Sequence, residues 1–313
     1  MIVDLIPDED QSAIEDTIVS FLADVLPVER LRETANYGGA AEAAVWSQLC
    51  ELGLFGLGLS EEQGGLGLGL PEEALVARAL GRNLVSPGVL AQICAPHLAT
   101  DEATRDALIS GEARAAFAIA DGYVLDGAGA DWVVVFGPGG ASLHAREDLK
   151  LTSTDGGLDH TMQFERIDGA VGNYQPALRI EVLVAAYLTG IAQATTDMAV
   201  EYAKTREQFG QPIGAFQAIK HSCADMATRA SAADTQTFYA ATVFGAGEDD
   251  AVEAAAARTL AKRAAFDNSK ANIQTHGGMG FTAECDAHLF LKRAMVMDML
   301  GSDARARRAA LTA

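Results

Sequence analysis

The sequence predicts a mainly α protein with a small β-domain set between an N-terminal helical domain and a C-terminal four-helix bundle. Three observations lead there. Apolar residues recur at helical spacing near the start, six short apolar or alternating segments follow in the middle, and four long Ala-rich helical patterns close the chain. The expected divisions are residues 1–110, 111–173 and 174–313, and 313 residues leave ample room for a buried core.

From Asp8 to about Leu31 the residues Ile14, Ile18, Phe21, Leu22, Val25 and Leu26 fall on one helical face, with acids opposite. A second helix is expected near Ala41 to Leu52, carrying Trp46 and Leu49. The Gly-rich stretch after it cannot be regular helix, and Pro71 suits the first turn of the next one. Gly64 and Gly65 invite a phosphate-loop reading, but no Lys-Ser/Thr pair follows, so a structural turn is expected. Residues 87 to 110 read as helical again. FAIA, YVLDG, DWVVVFG, ASLHA, LKLTST and MQFERI are separated by Gly or Asp turns, as in a small antiparallel sheet. Helical patterns near 176–206, 215–246, 250–274 and 284–312 then predict an antiparallel bundle whose Ala-rich faces permit close packing. A dimer or tetramer interface is expected, and no solenoid repeat is present.

With 43 acidic and 23 basic residues the formal charge is −20, which opposes non-specific attraction to nucleic acid or anionic lipid. Cys50, Cys94, Cys223 and Cys285 lack C-x-x-C or Cys/His spacing, so neither a disulfide framework nor a metal site is expected. The start, MIVDLIPDED, lacks the basic and apolar regions of a signal peptide, and no apolar run approaches the roughly 20 residues that span a bilayer. A cytoplasmic protein without membrane contact is expected.

The stretch from Tyr202 to Met226, YAKTREQFGQPIGAFQAIKHSCADM, reads as a helix end, a tight turn at Gly210, Pro212 and Gly214, and a new helix. Arg206 and Phe209 are three apart and expected on one helix face, with Gln217 a few residues into the next helix. A planar cation, a ring and an amide suit a nucleotide's diphosphate and base. On residue types alone, Arg206 could instead pair with an acid, Phe209 could be core, and Gln217 could cap the turn. Residues 274–281, QTHGGMGF, add Gln274 at a helix end followed by Gly277, Gly278 and Gly280, where backbone can approach an anion closely.

Together, R-x-x-F-G-x-P-I-x-x-F-Q and Q-x-x-G-G-x-G-F resemble the C-terminal domain of the acyl-CoA dehydrogenase family in order and spacing. The run W-x-x-L-x-x-x-G-L, then E-x-x-G-G-x-G, then A-L-G-R resembles its N-terminal helical domain, so the resemblance covers both ends of the chain. It implies an acyl-CoA dehydrogenase-like fold whose middle β-domain, about 60 residues between Gly111 and Asn173, is roughly half the usual length. FAIA passes through Asp121 and Gly122 directly into YVLDGAGADWVVV, so both flavin-cradling loops are expected to be deleted. Trp132 is read as core rather than as the family's flavin-contacting tryptophan.

The family removes an α-proton of an acyl thioester with a glutamate while a hydride passes to FAD. One usual place for that base, 23 residues beyond the Gly-Gly pair, brings Leu300, Gly301 and Ser302 to the segment, and Gly301 cannot abstract a proton. The other, 26 residues before Arg206, falls on Ile180 with Glu181 beside it. One helical step rotates a side chain by about 100°, so Glu181 is a candidate base only with a local register shift or a frayed helix start, and otherwise a solvated helix-end carboxylate. Glu284 matches a glutamate read as structural, and His276 and His221 are read as surface or packing residues.

The resemblance therefore implies the non-catalytic subunit of a heteromeric enzyme. Arg206, Phe209, Gln217, Gln274, Gly277 and Gly278 would complete the adenine and diphosphate end of an FAD shared with a longer acyl-CoA dehydrogenase subunit, which carries the flavin loops and the glutamate. Similar short subunits occur in actinobacterial α2β2 enzymes acting on steroid-derived CoA thioesters, a setting of lipid metabolism and steroid catabolism. The alternatives are a homo-oligomeric dehydrogenase using Glu181, a flavin-free structural subunit, and an acyl-CoA binding module, for which no basic cluster for the CoA phosphates is evident.

Overall fold

A computed structural model describes residues 4–119, 122–137, 140–154, 156–168, 177–246, 249–301 and 304–312. The expected first helix is shorter than its apolar pattern. Helix α1 (Glu9–Val25) begins in a capping box between Asp8 and Gln11 and stops before Pro27, after which a 3-10 turn covers Val28–Arg32. The second helix is two short ones, α2 (Ala40–Ala44) and α3 (Trp46–Glu51), broken at Val45. Helix α4 (Leu70–Arg82) carries Pro71 in its first turn. The 87–110 pattern resolves into α5 (Pro87–Cys94), a 3-10 turn and α6 (Glu102–Ser110), which starts at an Asp101 cap.

The six central segments all form strands: β1 (Ala115–Ala118), β2 (Tyr123–Leu125), β3 (Trp132–Gly137), β4 (Gly140–Ala145), β5 (Leu151–Ser153) and β6 (Phe164–Ile167). They make one sheet in the order β4-β3-β1-β2-β6-β5. It is mixed rather than purely antiparallel, because β1 and β3 pair in parallel, with Ala116 opposite Val133. β2 inserts as a hairpin beside β1, so the chain must cross over to reach the other edge of β1.

Three long helices follow: α7 (Leu178–Thr205), α8 (Gln217–Val243) and α9 (Asp250–His276). Between α7 and α8 a small hairpin pairs β7 (Glu207–Gln208) with β8 (Gln211–Pro212). The expected fourth helix is split into α10 (Ala287–Met297) and α11 (Ala304–Ala310), with Gly301 at φ +77° between them. The core runs continuously from the N-terminal helices through the inner face of the sheet into α7, α9 and α10.

Arg293 fastens the three parts together. Its buried guanidinium donates to Asp159 (2.8 Å), the Leu84 and Val85 carbonyls, the Tyr187 hydroxyl and Thr161. These acceptors come from the β-domain, the α4–α5 connection and α7, so one cation satisfies groups that apolar packing would leave unpaired.

Candidate functional site

The two predicted nucleotide-contacting stretches lie at the same end of the bundle. α7 stops at Thr205, and Arg206 is its C-cap in extended conformation. Its carbonyl accepts from Ile213 N–H at 2.8 Å, which closes the β7–β8 hairpin in place of another helical turn. Arg206 and Phe209 therefore do not share a helix face. Phe209 sits at the hairpin turn with φ +54°, beside Gly210 at +81°, because a reversal this tight needs left-handed backbone. It is not core. Its ring is 93 % exposed and meets only the edge of Phe216 among aromatic rings of the described residues. Gln217 is the first residue of α8 and exposed, and its side chain caps nothing among the described residues. Arg206 is exposed and has no ion pair among the described residues.

Gln274 is exposed in the last turn of α9, where the chain passes into a 3-10 turn over Gly277–Phe281. Gly277 has φ +63°, and a Cβ at Gly277 or Gly278 would meet nothing within 4 Å. Gly280, by contrast, is packed, since its Cβ would lie 2.6 Å from the Ile273 carbonyl. His276 is a packing residue: it is buried, its ring stacks on Tyr202 with centroids 4.1 Å apart, and its Nδ1 donates to the Asn272 carbonyl. His221 and Glu284 are exposed. An unpaired guanidinium, two free amides and open glycine backbone fit the diphosphate and adenine end of a dinucleotide.

The two candidate base positions meet at one point elsewhere in the bundle. Glu181 is not solvated. It is 2 % exposed, and its Oε2 lies 3.3 Å from Nε of Arg258, whose side chain has no exposure at all. A Cβ on Gly301 would collide with Glu181 Oε1. Arg258 reaches this point from α9 and donates through Nη2 to the Met297 (2.8 Å) and Leu300 (3.0 Å) carbonyls. Burial lowers its pKa from the usual arginine value, against the opposing pull of Glu181 and Asp298. Asp298 also receives Lys262 at 2.5 Å and Arg307 at 3.0 Å, so the segment after α10 is pinned over the start of α7. Ile180 is buried, and Ser302 lies outside the described residues.

Arg258 went unrecognised in the sequence, where AAAARTLAKRAA read only as a close-packing run. An arginine preceded by four alanines, with Lys262 one turn further on, is the available signal, since such a charge must be paired if buried. Two further features bear on a flavin ring. Only residues 119–122 separate β1 from β2, and Gly122 N–H already donates to the Ile119 carbonyl, so no long loop is available there. Trp132 is half-buried: it packs against the core from the sheet rim where β3 begins, and also lines a surface groove with Asp131, Arg146 and Glu147. Helices α4 and α7 also touch backbone to backbone: a Cβ on Gly81 would strike the Tyr187 carbonyl, and one on Gly190 the Arg78 carbonyl. No helix among the described residues is long and apolar enough to cross a membrane.

Residues 8–108 match the acyl-CoA dehydrogenase N-terminal domain and residues 179–308 the acyl-CoA dehydrogenase C-terminal domain. The chain is 32 % identical to the acyl-CoA dehydrogenase IpdE2 of Mycobacterium tuberculosis, over 92 % of each. It is 35 % identical to the acyl-CoA dehydrogenase FadE34 of the same organism over 80 % of this chain, but spans only 39 % of that longer protein. The fold is also that of the ChsE4-ChsE5 complex from Mycobacterium tuberculosis, with a TM-score of 0.78 at 20 % identity, covering 99 % of this chain and 97 % of that one. Helical ends, a central sheet and matches across both terminal domains make this chain a member of the acyl-CoA dehydrogenase family.

Proposed function

We propose that this chain is the non-catalytic subunit of a heteromeric, FAD-dependent acyl-CoA dehydrogenase. The observation that carries the proposal is an asymmetry within the bundle. Arg206, Gln217 and Gln274 stand exposed at one end, while the acidic group nearest the usual base positions, Glu181, is buried against Arg258 and Gly301. An exposed guanidinium and open glycine backbone are suited to a dinucleotide held by a neighbouring subunit. A carboxylate already paired inside the fold has no open approach for a substrate carbon.

In this reading Arg206 neutralises the diphosphate, Gln217 and Gln274 orient it, and Phe209 packs on the adenine. Gly277 and Gly278 let the backbone come close. When bound, the flavin supplies the hydride acceptor for α,β-dehydrogenation of an acyl-CoA thioester. The partner, a longer acyl-CoA dehydrogenase chain, contributes the ring cradle and the glutamate. The existence of the ChsE4-ChsE5 complex with the same fold supports a heteromer. A steroid-derived acyl group follows the resemblance to short actinobacterial subunits, and the cytoplasm is the proposed compartment.

Co-purification with the product of a neighbouring dehydrogenase-like gene, followed by flavin counting, tests this. One FAD per heterodimer is expected, with FAD lost from the complex on Arg206→Ala combined with Gln217→Ala. A yellow, active chain purified alone with one FAD per polypeptide would establish the homo-oligomeric alternative. Unchanged FAD content in the double variant would leave only a scaffold role.

A further inference from the structure

The buried face of α9 that packs on α7 is largely alanine, which gives shallow ridges on that helix. Ala254, Ala257, Ala261, Ala264 and Ala265 are all buried. Such a seam packs closely but resists sliding weakly, and a slip of one turn moves a helix end by about 5.4 Å. Beyond Arg258 near its start, and with Ser269 and Thr275 beside them, buried polar residues recur at i, i+4 and i+8 of α9: Asn268, Asn272 and His276. Asn268 Nδ2 donates to the Ala192 carbonyl, to Thr196 Oγ1 and to the Met226 carbonyl at 3.2, 3.1 and 2.9 Å, while its Oδ1 accepts from Arg229. Asn272 Nδ2 reaches Met198 Sδ at 3.1 Å. His276, its ring fixed by the bond to the Asn272 carbonyl, stacks on Tyr202.

The partners ascend α7 in step with the ladder, from Thr196 through Met198 to Tyr202, so the two helices run parallel and finish together. Tyr202 lies one turn before Arg206, and His276 immediately precedes Gly277. A shifted register would strip Asn268 of its partners on α7 and His276 of the Tyr202 ring, whereas Asn272 meets only the Met198 thioether and its Oδ1 has no partner among the described residues, so Asn268 and His276 at the two ends of the ladder select one axial alignment.

We propose that the Asn268–Asn272–His276 ladder sets the register of α7 against α9 and thereby holds Arg206 at its working distance from the Gly277–Gly278 backbone. His276 is the positioning residue closest to the site. This inference rests on the reading of Arg206 and the two glycines as dinucleotide contacts.

The test uses the full chain co-purified with its flavin-carrying partner and measures the Kd for FAD in wild type, Arg206→Ala, His276→Ala and His276→Phe. Thermal midpoints of the same samples establish folding. Arg206→Ala and His276→Ala are each expected to weaken FAD on the order of tenfold or more, since small misplacements of binding groups are costly. His276→Phe, which keeps a ring on Tyr202, should stay within about threefold of wild type. Should His276→Ala fail to assemble, Tyr202→Leu removes the stack from the other helix and carries the same expectation, with Tyr202→Phe as its rescue. Weakening by Arg206→Ala alone, with His276→Ala binding as wild type, would overturn the positioning role and leave the contact reading intact. Unchanged binding in Arg206→Ala would sink both.

Discussion

Glu181 and Gly301 occupy a single volume: the carboxylate of one stands where any side chain on the other would begin. The two places in which the family's base is sought therefore converge on one buried ion pair, Glu181 with Arg258, roofed by the Met297–Gly301 segment. Removing one partner of a buried pair strands the other's charge. Glu181→Ala should lose about 3–5 kcal/mol of folding stability, and Glu181→Met with Arg258→Met should lose less than the sum of the single changes. Urea denaturation of wild type, Glu181→Ala, the two methionine variants and their double variant checks this; additive losses in the methionine cycle would mean that the pair is not coupled.

Phe209 combines left-handed backbone with a ring left in solvent. Left-handed backbone at a residue other than glycine is costly and clusters at functional sites. Phe209→Gly relieves the backbone at little packing cost, so the free chain should be as stable as wild type or more stable by up to about 1 kcal/mol. Flavin retention by the complex should fall in the same variant. Calorimetry of the chain and absorbance of the complex at flavin wavelengths read the two effects, and a destabilised chain would contradict the strain argument.

Asp126 accepts from Ser86 Oγ at 2.6 Å and from Gln163 N–H at 2.8 Å within the junction of α5 and the sheet. Burial pushes its carboxyl up to about 6, against the opposing effects of the Ser86 bond and the Arg293 charge, while Glu42 adds to the rise. The unfolded chain releases this proton near 3.9 and the folded chain near 6. Stability from this group is therefore complete below pH 4, is lost as pH rises to 6, and changes no further above it. The unfolding free energy of Asp126→Asn relative to wild type should grow by about 3 kcal/mol across that window, because asparagine has no proton to lose and tolerates the φ of +47°. Denaturant titrations at pH 4, 5, 6 and 7 measure the difference; a flat one would refute the assignment.

Gly190 lets α7 lie against the Arg78 carbonyl of α4, as Gly81 lets α4 lie against the Tyr187 carbonyl. A methyl at 190 has backbone on the far side, which cannot rotate away. Gly190→Ala should cost about 1–3 kcal/mol despite alanine's better helix propensity. A stabilised variant, by thermal melt, would mean that the helices separate freely.

Helical and strand periodicities, the turn at Gly210–Gly214 and the paired motifs at 202–226 and 274–281 were legible in the sequence, because each is set by residues within a few positions of one another. Pro27, Val45 and Gly301 nevertheless broke helices that the apolar pattern alone ran through, since periodicity reports a buried face and not the caps that end it. The parallel pairing of β1 with β3 was hidden, because a strand's alternation is the same whichever direction its neighbour runs.

The sequence by itself determined the family, the layering of helices around a short sheet, and the glycine at the place where a base is usual. Only the tertiary structure decided that Arg206 turns away from α7 at a hairpin, that Glu181 is buried rather than solvated, and that Arg258 is its counter-ion. The reason is distance along the chain. Glu181, Arg258 and Gly301 come from α7, α9 and the α10–α11 connection, and no local pattern announces that these three will share one pocket once the bundle closes.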